Sequence, residues 1–189
     1  VDRYRHRIGS TEQRLAFELD RLGAVAAAGL SQSRLDTAIV KQYWARLDLE
    51  ELLKRFIAYD GDMRVVVAAF RALTTALRAL PEGQREAVIA EDTLQTIYRA
   101  SLDQRQDVWL QCAALDALVD LSPAAFASVA ARRLAIAAEG DDLFVRHHLV
   151  ELLATHLAAQ PGWGKHLIDA AADPSAHVRP AVASSAFRP

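Results

Sequence analysis

The sequence predicts an all-α fold, and three observations support this prediction. Strong helix formers dominate almost every window of the 189-residue chain. Apolar residues recur at helical spacing, most clearly at Val66, Phe70, Leu73, Leu77 and Leu80. No segment shows the sustained polar and apolar alternation of a β-strand, and no Asn-Gly or Asp-Gly turn joins two β-rich runs. We therefore expect helices along the whole chain.

Start and stop signals divide the chain into successive helices. Ser10 with Gln13 resembles a capping box, Asp60 and Gly61 lie in a turn between two helical patterns, and Ser122 is an N-cap followed by proline. The stretch 84–102 carries a potential interruption near residues 91–92. The predicted helices cover about 10–29, 31 or 33 to 45, 48–59, 62–80, 84–102, 107–121, 123–138, 142–159, 164–172 and 175 onward.

These helices fall into pairs, and the second helix of each pair begins in a similar way. An Asp in the turn is followed by a short apolar or Val-Arg motif, with equivalent positions at Met63, Trp109, Val145 and Val178. The spacings are 46, 36 and 33 residues. Such periods predict a helical-repeat array, in which each pair shares its core with its neighbours.

The repeated motif resembles the HEAT-repeat family, including its PBS-lyase HEAT-like branch. Val145-Arg146 and Val178-Arg179 match its Val-Arg pattern well, Met63-Arg64 matches fairly, and Trp109-Leu110 matches poorly. The resemblance covers about residues 48–188 as four units, with the two N-terminal helices as a potential divergent fifth. It implies a right-handed α-α superhelix, a HEAT-like helical-repeat solenoid of about four to five helix pairs.

The resemblance also implies a structural ladder, because the turn Asp and the helix Arg bond across adjacent repeats in HEAT-like proteins. The residues that match this ladder here are Arg64, Asp142, Arg146, Asp173 and Arg179.

Composition limits the function classes. A formal charge of -2 and a pI near 6.3 argue against nucleic acid as the main partner. A single cysteine excludes an internally disulfide-bonded scaffold and fits a reducing compartment. No apolar run approaches the roughly 18 residues that span a bilayer. The excess of Ala, and of Arg over Lys, is typical of a high-GC bacterium. We therefore expect a bacterial, cytoplasmic protein.

The domain organisation is expected to be simple. Residues 1–10 include the basic run Arg3, Tyr4, Arg5, His6 and Arg7, and this segment is interpreted as a frayed N-terminal tail. Residues 11–189 form one HEAT-like domain, interpreted as a fragment of a longer chain.

The residues that could carry chemistry indicate no metal, cofactor or catalytic site. His147 and Glu151 are one helical turn apart, but a metal usually needs ligands from further elements, so a solvated pair is favoured. Cys112 lies in an apolar stripe and is interpreted as a small core residue. Nucleotide-binding and nucleophile motifs are absent from the sequence.

The leading hypothesis is a non-catalytic scaffold that binds a protein or peptide partner on its concave face. The solvent stripes of the second helices supply the candidate binding residues: Arg71, Arg78, Gln111, Asp116, Asp120, His147, Glu151 and Thr155.

Two alternatives stay open. One is an enzyme of the alkylpurine DNA glycosylase or bilin-lyase type, since helical-repeat glycosylases carry Trp, Asp and Arg, as at Trp109, Asp116 and Arg146. In the scaffold interpretation Trp109 packs between repeats. The other alternative is a structural or regulatory module of a larger protein.

Overall fold

The all-α prediction is confirmed by the structure, a computed structural model. It describes residues 11–32, 37–58, 62–136 and 143–156, together with 165, 168, 170–173, 175, 178 and 179. Within these ranges the chain forms nine α-helices and no β-strand. The basic tail 1–10, Asp60, Gly61, Asp142 and most of the two last predicted helices lie outside the described residues.

Most helix bounds lie near the predicted start and stop signals, but the predicted stop near residue 29 and the start at residue 31 are wrong. The first helix continues through Gln32, and Ser31 Oγ donates to the Ala27 carbonyl within it, so Ser31 does not cap a new helix. In chain order the helices are α1 (Thr11–Gln32), α2 (Thr37–Ala45), α3 (Leu49–Ala58), α4 (Met63–Arg78), α5 (Glu82–Val88), α6 (Glu91–Leu102), α7 (Val108–Leu121), α8 (Pro123–Ile136) and α9 (Leu143–His156). The stretch 84–102 is divided between α5 and α6 because Ile89 adopts an extended backbone conformation between them.

The contacts divide the chain into two compact units, Val1–Thr96 and Ile97–Pro189. In the first unit α4 is the central helix, with α1 packed along it and α3 packed beside it. The predicted apolar stripe of this helix is buried, since Val66, Phe70, Leu73, Leu77 and Leu80 are all at most 3% exposed. Burial of this stripe supplies the core of the unit.

A glycine allows α1 to approach α4 closely. A Cβ atom added at Gly23 would lie 2.6 Å from the Cα atom of Ala72 on α4. Only a residue without a side chain fits at this crossing, and the backbones of the two helices therefore pack at short range.

A partly buried polar bridge joins three further segments of the first unit. One carboxylate oxygen of Glu50 accepts a hydrogen bond from Trp44 Nε1 at 2.7 Å, and the other accepts from the backbone N–H of Ala90 at 2.9 Å. The side chain thus connects α2, α3 and the turn before α6.

In the second unit α7 packs against both α8 and α9, and α8 also contacts α9. Side chains from all three helices are fully buried, among them Leu115, Leu118, Phe126, Val129 and Leu149. Because α7 has neighbours on two sides, ten of its residues are buried. Only a narrow part of its surface remains uncovered.

Side-chain caps explain where several helices begin. Asp62 accepts from the N–H of Arg64 at the start of α4, and Asp107 accepts from the N–H of Trp109 at the start of α7. Ser122 Oγ accepts from the N–H of Ala125 at the start of α8. Each cap satisfies a backbone donor that the helix itself leaves unpaired. None of the helices in the described ranges has the length and apolar character needed to cross a membrane.

Candidate functional site

The uncovered strip of α7 begins with an exposed aromatic side chain. The residues of this helix that are not buried are Val108, Trp109, Cys112 and Asp116. Trp109, Cys112 and Asp116 follow one another at spacings of three and four, so they share one helix face. Trp109 is 69% exposed, and the expectation that it packs between repeats is wrong. Cys112 is half-buried, at the edge of the core.

A second strip of the same kind lies on α9. It contains Phe144, His147, His148, Glu151 and Thr155, which again fall on one helix face. Phe144 is 72% exposed. Both helices therefore combine a large exposed aromatic residue near their N-terminus with polar residues further along.

A direct contact joins the two strips. His148 Nε2 on α9 lies 2.9 Å from Asp116 Oδ1 on α7. The hydrogen bond to Asp116 raises the pKa of His148 above its usual value, while burial opposes this. The negative charges of Asp116 and Glu151 and a hydrogen bond with the backbone of Cys112 add to the increase in the pKa.

We call the combined strips the α7/α9 surface. Its members are Trp109, Cys112, Asp116, Phe144, His147, His148, Glu151 and Thr155. His147 Nδ1 lies 3.7 Å from Glu151 Oε2, and Thr155 Oγ1 donates to the Glu151 carbonyl at 2.8 Å. No group of three or more His, Cys, Asp or Glu residues in the described part of the chain is placed to hold a metal ion.

Two residues assigned to this surface from the sequence are buried instead, so their predicted exposure is wrong. Gln111 is 1% exposed: its side-chain oxygen accepts from the guanidinium of buried Arg133, and its Nε2 donates to the Gln106 carbonyl at 2.7 Å. Asp120 is 8% exposed. The physical reason is that α7 has packed neighbours on two sides, which leaves room for only one narrow solvent strip.

Arg71 and Arg78 belong to α4 in the first unit, where both are exposed. The guanidinium of Arg71 binds the carboxylate of Asp20 on α1 through two contacts, at 3.1 and 2.9 Å. Arg71 therefore supports helix packing at the surface, a role that sequence spacing alone does not show.

The Arg and Asp residues of the predicted ladder differ in their contacts. Arg146 Nε lies 3.1 Å from Asp173 Oδ2, which links α9 to a segment 27 residues further along the chain. Their side chains are only 9% and 1% exposed. Arg179 Nη1 donates to the backbone carbonyl of Asp173 at 2.9 Å.

Arg64 differs, because it binds Asp62 within its own turn and the contact does not connect two repeats. Its guanidinium and its backbone N–H lower the pKa of Asp62 to about 2. Asp142, the remaining residue of the predicted ladder, lies outside the described residues.

The three residues that suggested a DNA glycosylase do not share one exposed surface. Trp109 is exposed, but Arg146 is 7% exposed and contacts Asp173. Asp116 contacts His148. Trp109, Asp116 and Arg146 therefore do not form one exposed cluster.

Comparisons of the chain with protein-family models, with curated proteins and with solved structures found no match.

Proposed function

We propose that the chain is a non-catalytic binding scaffold of the HEAT-repeat type, and that it docks a protein or peptide partner on the α7/α9 surface. The observation that carries this proposal is the exposure of Trp109 and Phe144, at 69% and 72%, on two helices that pack together. Aromatic side chains are the residues that most often dominate binding energy at interfaces.

The packing beneath the surface favours a binding role. Beneath it, Ala114, Leu115, Ala117 and Leu118 are completely buried. The contact between Asp116 and His148 connects the two helices on the outer side. A partner would therefore meet side chains that are already held in place, which reduces the entropy lost on binding.

The repeat type is supported by local contacts. Asp62 and Asp107 open α4 and α7 with the same type of cap, and the second helices α7 and α9 pack against each other. Arg146 and Asp173 link α9 to the following segment. These features are typical of stacked α-hairpins, in which the second helices line a concave docking face. The single cysteine and the Arg-rich composition support a bacterial cytoplasmic location as part of the same proposal.

Site-specific photo-crosslinking in the native cell tests this function. A benzophenone amino acid is placed at Trp109 or at Phe144, and the matched control carries it at Phe17, which is 61% exposed on α1 in the first unit. We expect both test positions to crosslink the same protein, and the control position not to do so. Crosslinks that are equally frequent at position 17, or that differ between positions 109 and 144, would argue against a docking surface here.

A further inference from the structure

We propose that the segment docked on the α7/α9 surface is cationic, with a Lys or Arg side chain next to an apolar side chain. This inference rests on the proposed function and specifies the chemistry of its partner.

Apart from the two histidines, the charged side chains that α7 and α9 expose on this surface are acidic. α7 contains no Lys or Arg, and α9 contains only Arg146, which is buried against Asp173. The exposed carboxylates are Asp116 and Glu151, whose side chains are 45% and 58% exposed. The capping residue Asp107 adds a third exposed carboxylate beside Trp109. When His148 is protonated it offsets the charge of Asp116, and the carboxylates of Glu151 and Asp107 remain to attract a docked cation.

The contacts with the two histidines leave one oxygen of each carboxylate available to accept a hydrogen bond from such a cation. Within the described residues, His148 engages only Oδ1 of Asp116, and His147 approaches only Oε2 of Glu151. The second oxygen of each carboxylate can accept a further charge-assisted hydrogen bond. The two carboxylates are therefore able to bind a guanidinium or ammonium group without losing their present contacts.

The exposed aromatic residues supply the rest of the recognition. A Lys or Arg side chain can stack on the face of the Trp109 indole as a cation–π contact. An apolar side chain beside it can cover Phe144. This combination selects against acidic segments, which the carboxylates repel, and against purely polar basic segments, which leave the rings uncovered.

Among the described residues, Phe17 is the large exposed aromatic residue of the first unit. Arg21 lies 6.0 Å from the centre of the Phe17 ring and also pairs with Glu18 at 3.2 Å. A cation of the chain itself therefore lies near this ring, although Phe17 is 61% exposed. Phe17 is therefore a suitable comparison site for the experiment.

Fluorescence anisotropy with three labelled peptides of about 12 residues tests the inference. The first peptide combines Lys and Arg with Leu and Trp, the second replaces each basic residue with Glu, and the third replaces each apolar residue with Ser. We expect the first peptide to bind at least about tenfold more tightly than either of the others. Its affinity should fall as the salt concentration rises.

Matched variants assign the binding to this surface. Trp109→Ala and Glu151→Lys should each weaken binding of the first peptide about tenfold. The controls Phe17→Ala and Glu51→Lys change an aromatic and a glutamate of similar exposure in the first unit, and they should change the affinity less than twofold. Circular dichroism checks that every variant keeps its helical content.

The outcomes separate the inference from the function on which it rests. If the acidic or the Ser-containing peptide binds as tightly as the first, and Trp109→Ala weakens that binding, the surface is a docking site but its partner is not defined by positive and apolar groups. If no peptide binds, or if Phe17→Ala weakens binding as much as Trp109→Ala, both the inference and the proposed function are overturned.

Discussion

His148 Nε2 lies 2.9 Å from Asp116 Oδ1, and this contact joins α9 to α7 on the surface of the second unit. The pKa of His148 is raised because the Asp116 carboxylate stabilises the protonated ring. A histidine whose pKa is higher in the folded state stabilises the fold below its unfolded pKa of about 6.5. This stabilisation is lost as the pH rises through the folded-state pKa.

The first prediction concerns this pH dependence. His148→Gln should lower the free energy of unfolding by about 1 kcal/mol at pH 5.5, because it removes a hydrogen bond between charged groups that is partly open to solvent. The difference from the wild type should be smaller at pH 8.5. Urea denaturation at the two pH values measures it.

His147→Gln is the matched control, since this ring lies 3.7 Å from an exposed glutamate on the same helix. It should change stability by no more than about 0.5 kcal/mol at either pH. An equal loss for His148→Gln at both pH values would show that the stabilisation does not depend on the charge of the ring.

The buried pair of Arg146 and Asp173 gives the second prediction. Arg146→Met should destabilise the fold by about 3 to 5 kcal/mol, because it leaves the nearly inaccessible carboxylate of Asp173 without its cation. Restoring neutrality with Asp173→Asn in the same chain should recover part of this loss. Chemical denaturation of both single variants and the double variant measures the coupling.

The exposed pair of Arg64 and Asp62 serves as the comparison, and Arg64→Met should have little effect on stability. Similar losses for Arg64→Met and Arg146→Met would contradict a special role for the buried pair.

The third prediction tests the close crossing of α1 and α4. Gly23→Ala should destabilise the fold by about 1 to 3 kcal/mol, since the new methyl group would meet the backbone of Ala72. Gly83→Ala, at a helical position with no atoms within 4 Å of the added Cβ, should instead increase stability by about 0.5 kcal/mol. Thermal unfolding of both variants checks the opposite signs, and a stabilised Gly23→Ala would exclude the close approach.

The fourth prediction uses two buried threonines. Thr93 Oγ1 is inaccessible and has no hydrogen-bond partner among the described residues, whereas Thr74 Oγ1 donates to the carbonyls of Phe70 and Arg71. Thr93→Val should be neutral or stabilising by up to about 1 kcal/mol, and Thr74→Val should cost about 1 kcal/mol. Urea denaturation compares them, and a clear loss for Thr93→Val would mean that this hydroxyl has a partner.

Local sequence signals were sufficient for the elements of the fold. The Asp and Ser caps at residues 62, 107 and 122 start three helices at the predicted places, because capping depends on a few neighbouring residues. The apolar stripe of α4 is buried as predicted, since this stripe faces the other helices of its unit.

The exposed surface was harder to predict, because it depends on contacts distant in the sequence. Gln111 was expected in solvent, but it is buried with Arg133, which lies 22 residues further along the chain. Trp109 was expected to pack between repeats and is exposed. Helical periodicity divides a helix into one apolar and one polar face. Because α7 is covered on two sides, the positions of α8 and α9 decide which strip of α7 stays exposed.

The docking role of the α7/α9 surface can be observed directly by fluorine NMR of the protein labelled with 5-fluorotryptophan. Trp109→Phe assigns the Trp109 resonance among the three tryptophans, and Trp44, which is 4% exposed, provides an internal reference. The account predicts that the basic and apolar peptide shifts the Trp109 resonance in a saturable way and leaves Trp44 unchanged. A Trp109 resonance that does not move at saturating peptide would contradict it.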